Sequence, residues 1–246
     1  MARGQVTRLG TAAAALAALA ALAAGGCSRR ALRSMSSVAG LATLTYDARY
    51  EHLDEGDAGP TPAGARRPDG VATVGLSSRG ALHRRRGWLG YALGLDLRLG
   101  GASPAAFAYE ANLYLLGAAA RLGDWGHLGV VQGVGFSGVT GQLGFAGQLP
   151  LEAFFEANLG GRLRLLTWVG DRYLFGEAAR DGGADSRAPF GDELTAGAGL
   201  RWSKRGAIHG NPYGGGYFLG AVYREQLGAR YLGVTIGYHL DATFGR

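Results

Sequence analysis

Cysteine is all but absent from this chain. Cys27 is the only one among 246 residues, so neither an internal disulfide nor a cysteine-based metal cage can hold the fold. Histidine is sparse and scattered, at five residues, which leaves a metal centre unsupported and gives no reason to expect a cofactor. Charged side chains make up 18% of the sequence, below the roughly 25% of ordinary soluble domains, so the exposed surface is not that of a typical soluble protein. After residue 40 no segment keeps a 3.6-residue apolar stripe, and none is apolar enough for a membrane helix, which excludes helical bundles and helical membrane proteins. The nucleophile elbow, the phosphate loop and zinc-ligand spacings are missing as well. What the chain has in excess is glycine: 45 residues without a collagen-like period, in a sequence that is too apolar for disorder.

That glycine sits inside a two-residue alternation. Leu89, Tyr91, Leu93, Leu95, Leu97 and Leu99 alternate with Gly90, Ala92, Gly94, Asp96 and Arg98, which describes a β-strand with two different faces. The same period predicts strands over 41–51, 71–78, 88–99, 105–116, 128–137, 149–158, 162–169, 193–203, 217–226 and 231–241. Ten strands follow, or eight if the weaker ones fail. Gly160-Gly161 marks a tight hairpin between two of them. The two longest connections, 53–70 and 171–192, come after the first and seventh strands, so up-and-down pairing puts both at one end. The expected fold is all-β, a single antiparallel up-and-down barrel spanning 41–246.

Two kinds of barrel share this alternation. In a lipocalin-like carrier the apolar face lines a ligand cavity, whereas in a membrane barrel it meets lipid and the polar face lines the lumen. The non-apolar face decides between them, because it is rich in Gly, Thr, Ser and Ala and poor in Lys and Glu, unlike a water-facing surface. Its charges are nearly balanced: Asp47, Asp96, Glu110, Glu152, Glu156, Glu193 and Asp241 stand against Arg49, Arg98, Arg162, Arg164, Arg201 and Arg224. Buried charges persist when paired, so these residues are expected to form a network across the lumen. Tyr91, Trp202 and Tyr238 fall near one set of strand ends and Tyr50, Phe107 and Tyr109 near the other, as two interfacial girdles would. Over the mature chain this pattern resembles the bacterial outer-membrane β-barrel class. The resemblance implies lipid as the surrounding partner, long loops outside the cell and the N-terminus in the periplasm.

Residues 1–26 read as a secretion signal, with Arg3 and Arg8 ahead of an Ala/Leu run that ends near Gly25-Gly26. Residues 27–40, with Arg29, Arg30 and Arg33, read as a flexible tether. The sole cysteine falls where the apolar run stops, and the segment resembles a bacterial lipoprotein signal. The resemblance implies lipidation of Cys27, and Ser28 in place of Asp implies the outer membrane. Basic residues cluster at His83-Arg84-Arg85-Arg86 and Lys204-Arg205, which the topology assigns to periplasmic turns. Arg84, Arg85 and Arg86 could meet anionic headgroups or the cell wall, and no nucleic-acid motif is present.

Chemistry is scarce. His239 and Asp241 share the interior face of the last strand, and a histidine beside a carboxylate could act as a general base. Three readings therefore stand: an envelope structural component or restricted pore with a largely packed lumen, an outer-membrane enzyme acting on lipid or peptide, and a periplasmic carrier of a hydrophobic ligand. The first accounts for most of the pattern. Metabolic labelling with palmitate tests the anchor: the intact chain should incorporate label, and Cys27→Ala should lose it while still reaching the membrane fraction.

Overall fold

The structure is a computed structural model that describes residues 38–56, 68–84, 87–103, 106–123, 125–139, 144–160, 162–176, 193–203, 213–226 and 229–244. Cys27, the expected signal, the tether up to residue 37, Arg85, Arg86 and Lys204-Arg205 lie outside the described residues, as does the side chain of Arg84. Ten strands are present: β1 (Val38–Gly56), β2 (Gly70–Arg84), β3 (Leu89–Ser103), β4 (Ala106–Arg121), β5 (Gly126–Val139), β6 (Gly144–Gly160), β7 (Leu163–Gly176), β8 (Glu193–Ser203), β9 (Tyr213–Gln226) and β10 (Ala229–Phe244). Each pairs antiparallel with its sequence neighbour, and β1 pairs with β10 to close a barrel. Closure leaves no strand edge with unpaired backbone groups, which is what a sheet needs where water cannot supply hydrogen bonds.

Two strands run further than the alternation suggests. The strand expected over 71–78 continues to Arg84, and the one expected over 162–169 continues to Gly176. In β2 the pattern blurs at Ser77-Ser78-Arg79-Gly80, where both faces carry small or polar residues, yet the pairing with β3 continues through His83↔Gly90. In β7 Asp171 and Arg172 read as loop residues, but they pair with Leu151 and Pro150 on β6. His83 is accordingly a buried lumen residue of β2 and not part of a basic turn. The hairpin after β6 closes at Gly160↔Leu163, with Gly160 at a φ of 113 that a glycine tolerates.

The two faces have opposite chemistry. Outward-facing Leu89, Leu97, Leu99, Val130, Leu219, Val234 and Ile236 are all exposed, while Asp47, Arg98, Glu152, Arg201 and Asp241 on the inner face are at most 5% exposed. This is the reverse of a carrier with an apolar cavity, so the lipocalin-like alternative does not fit. At the end where the chain enters β1, the register places Tyr46 beside Tyr238, Tyr238 beside Tyr217 and Tyr217 beside Trp202. All four are exposed, as are Trp88, Tyr91 and Trp125. Towards the other end Tyr50, Phe107, Phe136, Tyr173 and Phe175 are exposed, and Phe107, Tyr109 and Phe136 lie in contact.

Inside, glycine stands opposite bulk. A Cβ on Gly197 would lie 2.1 Å from the Trp168 ring, its cross-strand partner, and one on Gly129 would lie 2.3 Å from Phe154. Gly75 likewise makes room for Arg98, and Gly237 for Asp47. Glycine weakens a strand unless something must approach it closely, and here the barrel's own large side chains do so. Gly197→Ala should destabilise the barrel by ~1–3 kcal/mol through overpacking, measured by urea unfolding in lipid vesicles. An exposed control, Ala198→Gly, should change far less.

Candidate functional site

The site is the lumen itself. Because side chains alternate along a strand, every second residue of ten strands points into one narrow tube, and the polar face of each strand meets the others there. Near the end where the chain enters β1, Arg164 on β7 bridges Glu156 on β6 at 2.6 Å and Asp241 on β10. Arg201 on β8 holds the other oxygen of Glu156 at 3.1 Å. At mid-height Arg79 on β2 reaches Asp96 on β3 at 2.9 Å and crosses the barrel to Glu152 on β6 at 2.8 Å. Its guanidinium lies 4.5 Å from the centre of the Tyr114 ring, whose hydroxyl donates to Asp96 at 3.3 Å. Arg98 on β3 spans to Asp47 on β1 at 3.1 Å, and the Thr235 hydroxyl donates to the same carboxylate at 2.5 Å.

Towards the other end Arg172 on β7 joins Glu110 on β4 at 2.7 Å and Glu193 on β8 at 2.9 Å. Arg224 on β9 meets Glu51 on β1 at 3.1 Å. Neutral bridges fill the gaps: the Gln148 amide donates to Asn112 at 2.5 Å, and Ser137 donates to Gln148 at 3.2 Å. Most of these contacts join strands that are not neighbours in the sheet, so the lumen is no wider than two side chains placed tip to tip. What remains is a chamber of ≈ 60 Å³ at mid-height and a second of ≈ 40 Å³ towards the far end, which share Glu51, Arg98, Glu110 and Arg224 in their walls.

The expected network residues distribute as follows. Asp47, Asp96, Arg98, Glu110, Glu152, Glu156, Arg164, Glu193, Arg201, Arg224 and Asp241 point inward and form ion pairs. Arg49 lines the chamber, but its buried Nε has no hydrogen-bond partner. Arg162 does not belong to the lumen, because it sits in the β6–β7 turn and is exposed to solvent at the barrel's end. Two major bridging residues, Arg79 and Arg172, lie beyond the strand ends that the alternation alone gives, because β2 continues to Arg84 and β7 to Gly176. Both keep the inward parity of Ser77 and Arg164, and that was the available signal. The inner face also carries Phe154, Leu166, Trp168 and Phe218, which pack between the ion pairs.

His239 is fully buried, with Nε2 3.5 Å from Asp241 and 3.4 Å from Arg164. It lies at the end of the barrel opposite the two longest connections, facing a carboxylate already engaged by arginine. A general base must reach the proton it abstracts from a substrate, and this ring is enclosed by the network.

No protein-family model matches the chain, and no curated protein matches it. Among solved structures it is similar to the KdgM porin in complex with disordered oligogalacturonate, at 10% identity over 81% of this chain and 99% of that one, with a TM-score of 0.38. It is also similar to the translocator domain of autotransporter NalP from Neisseria meningitidis (13% identity, 93% and 97% covered, TM-score 0.35). A third is Ail, the attachment invasion locus protein of Yersinia pestis (10% identity, 82% and 97% covered, TM-score 0.31). These neighbours are outer-membrane β-barrel proteins. At this identity the likeness concerns architecture and says nothing of activity.

Arg79 offers the clearest test of the network. Arg79→Ala leaves Asp96 and Glu152 buried without a counter-charge and should cost ~3–5 kcal/mol in urea unfolding from lipid vesicles. Adding Asp96→Asn and Glu152→Gln to an Arg79→Met background should recover most of that loss, since buried charge without a partner is the destabilising element.

Proposed function

We propose that this protein is an outer-membrane β-barrel whose lumen is bridged shut by its own ion pairs, serving as an envelope structural component and at most a restricted pore. The outward apolar surface carries the reading. Leucine, valine and isoleucine cover it between two sets of exposed aromatics, and charged residues of outward parity in the described strands (Asp54, Asp171, Glu225 and Arg230) lie towards one end. An Arg or Lys facing the bilayer midplane would cost ~2–4 kcal/mol. The strands span 11 to 19 residues, which satisfies the ~9–11 that a tilted membrane strand requires.

Orientation follows from connection length. The segments 57–69 and 177–192 join strands at one end, and outer-membrane barrels carry their long loops outside the cell. The N-terminus then lies in the periplasm, where a lipid on Cys27 would hold the chain to the inner leaflet. In that orientation the β2–β3 connection, to which Arg84, Arg85 and Arg86 belong in sequence, would face the periplasm, where anionic headgroups would attract them.

Gel mobility of membrane-extracted protein with and without boiling tests the barrel, and planar-bilayer recording on the same preparation tests the lumen. Unboiled protein should migrate differently from boiled protein and pass little or no current. Identical migration together with full recovery in the soluble fraction would overturn the membrane reading, and large steady conductance would overturn the closed lumen.

A further inference from the structure

Two of the histidines meet at the end of the barrel where the chain enters β1. His83 stands just before the end of β2 and His127 just after the start of β5, with β3 and β4 between them in the sheet. Their rings nevertheless lie 5.5 Å apart, centre to centre, tilted by 33°. The residues they pass over are small: Gly90 on β3 pairs with His83, and Ala119 on β4 pairs with Gly90. A Cβ on Gly90 would lie 2.6 Å from His83 Nδ1, so the ring fills the space that a side chain there would need. His83 is only 5% exposed, and neither of its ring nitrogens has a hydrogen-bond partner. His127 is half-buried.

The charges around this pair suit two neutral rings. Among the described residues His83 faces Arg121 on β4, and His127 faces Glu156 on β6, Arg121 and Arg164 on β7, besides His83 itself. Glu156, directly across from His127 in register, is the one carboxylate in that set, and Arg164 at 2.6 Å and Arg201 at 3.1 Å already share it. A proton on His83 would therefore be a buried charge without a partner, beside a second ring and an arginine, which is costly. We infer that the His83–His127 contact is an acid-released latch on this mouth of the barrel, closed while both rings are neutral and opened when they take up protons. Release frees the adjoining ends of β2 and β5. The ion pairs deeper in the lumen hold the remaining strands, because carboxylates stay ionised well below the range near pH ~6.5 in which imidazole titrates. The latch depends on the closed barrel and its register, and it works whichever compartment this mouth faces.

The test uses the full chain folded in zwitterionic detergent and compares amide hydrogen exchange at about pH 7.5 and about pH 5.5, corrected for the intrinsic pH dependence of exchange. Between those values each imidazole that protonates only in the open form multiplies opening about tenfold. Exchange over residues 81–84 and 126–128 should rise by that factor or its square, while β8 and β9 stay unchanged. The ring carbon NMR shifts of His83 and His127 should titrate over the same pH range as the rise. His83→Gln combined with His127→Gln should exchange equally at both pH values. Should that pair fail to fold, His127→Gln alone, at the less buried position, should lower the rise about tenfold. Equal exchange at the two pH values in the wild type would overturn the latch. So would a rise that persists without the imidazoles, or one shared by β8 and β9, which is general acid unfolding. A chain that keeps its boiled and unboiled gel shift but shows no local rise loses the latch and leaves the barrel reading intact.

Discussion

Charge compensation across a narrow closed lumen is the constraint on which the rest of this structure depends. Once ten strands close, inward side chains are largely removed from bulk water, and an ionised group there is stabilised when a partner reaches it. The chain meets this with arginine used as a long, forked crosslink. Arg79 ties β2 and β3 to β6, Arg164 ties β6 to β10, and Arg172 ties β4 to β8 through their carboxylates. Guanidinium suits this task because its planar fork engages two carboxylates at once and stays charged when buried. The sequence holds a single lysine, Lys204, and an ammonium could not have served as the same two-sided bridge.

Compensation and packing are coupled through register. A one-residue slip of any strand would turn its arginines and acids towards lipid and its leucines into the lumen, so each cross-lumen pair also selects the alignment of its strand. Glycine makes the pairing sterically possible. Gly75 beside Arg98 and Gly237 beside Asp47 leave the space through which those two side chains meet from β3 and β1. The apolar members of the inner face, Phe154 and Trp168, sit opposite Gly129 and Gly197 for the same reason. The abundance of glycine is therefore the counterpart of a lumen crowded with long side chains.

The architecture was legible because alternation with period two is a local signal, and all ten expected strands are present. The faces were legible too, since Leu93 and Asp96 declare opposite preferences within four residues. Strand ends were not: Arg79 follows a stretch that is small and polar on both faces, and Asp171-Arg172 carries the composition of a turn. What holds these residues in strands is pairing with β3 and β6, which a single segment does not reveal. For the same reason parity alone assigns Arg162 to the lumen, although its strand begins one residue later. Partner identity was beyond reach altogether, because Glu152 finds Arg79 four strands away around the ring.

A bridged lumen also limits where activity can reside. The ion pairs occupy successive heights from Asp241 at one end to Glu51 at the other, and passage of a large solute would require several of them to separate together with their charges exposed. Separating one buried pair already costs several kcal/mol, so concerted opening of all of them is not a thermal fluctuation of the barrel.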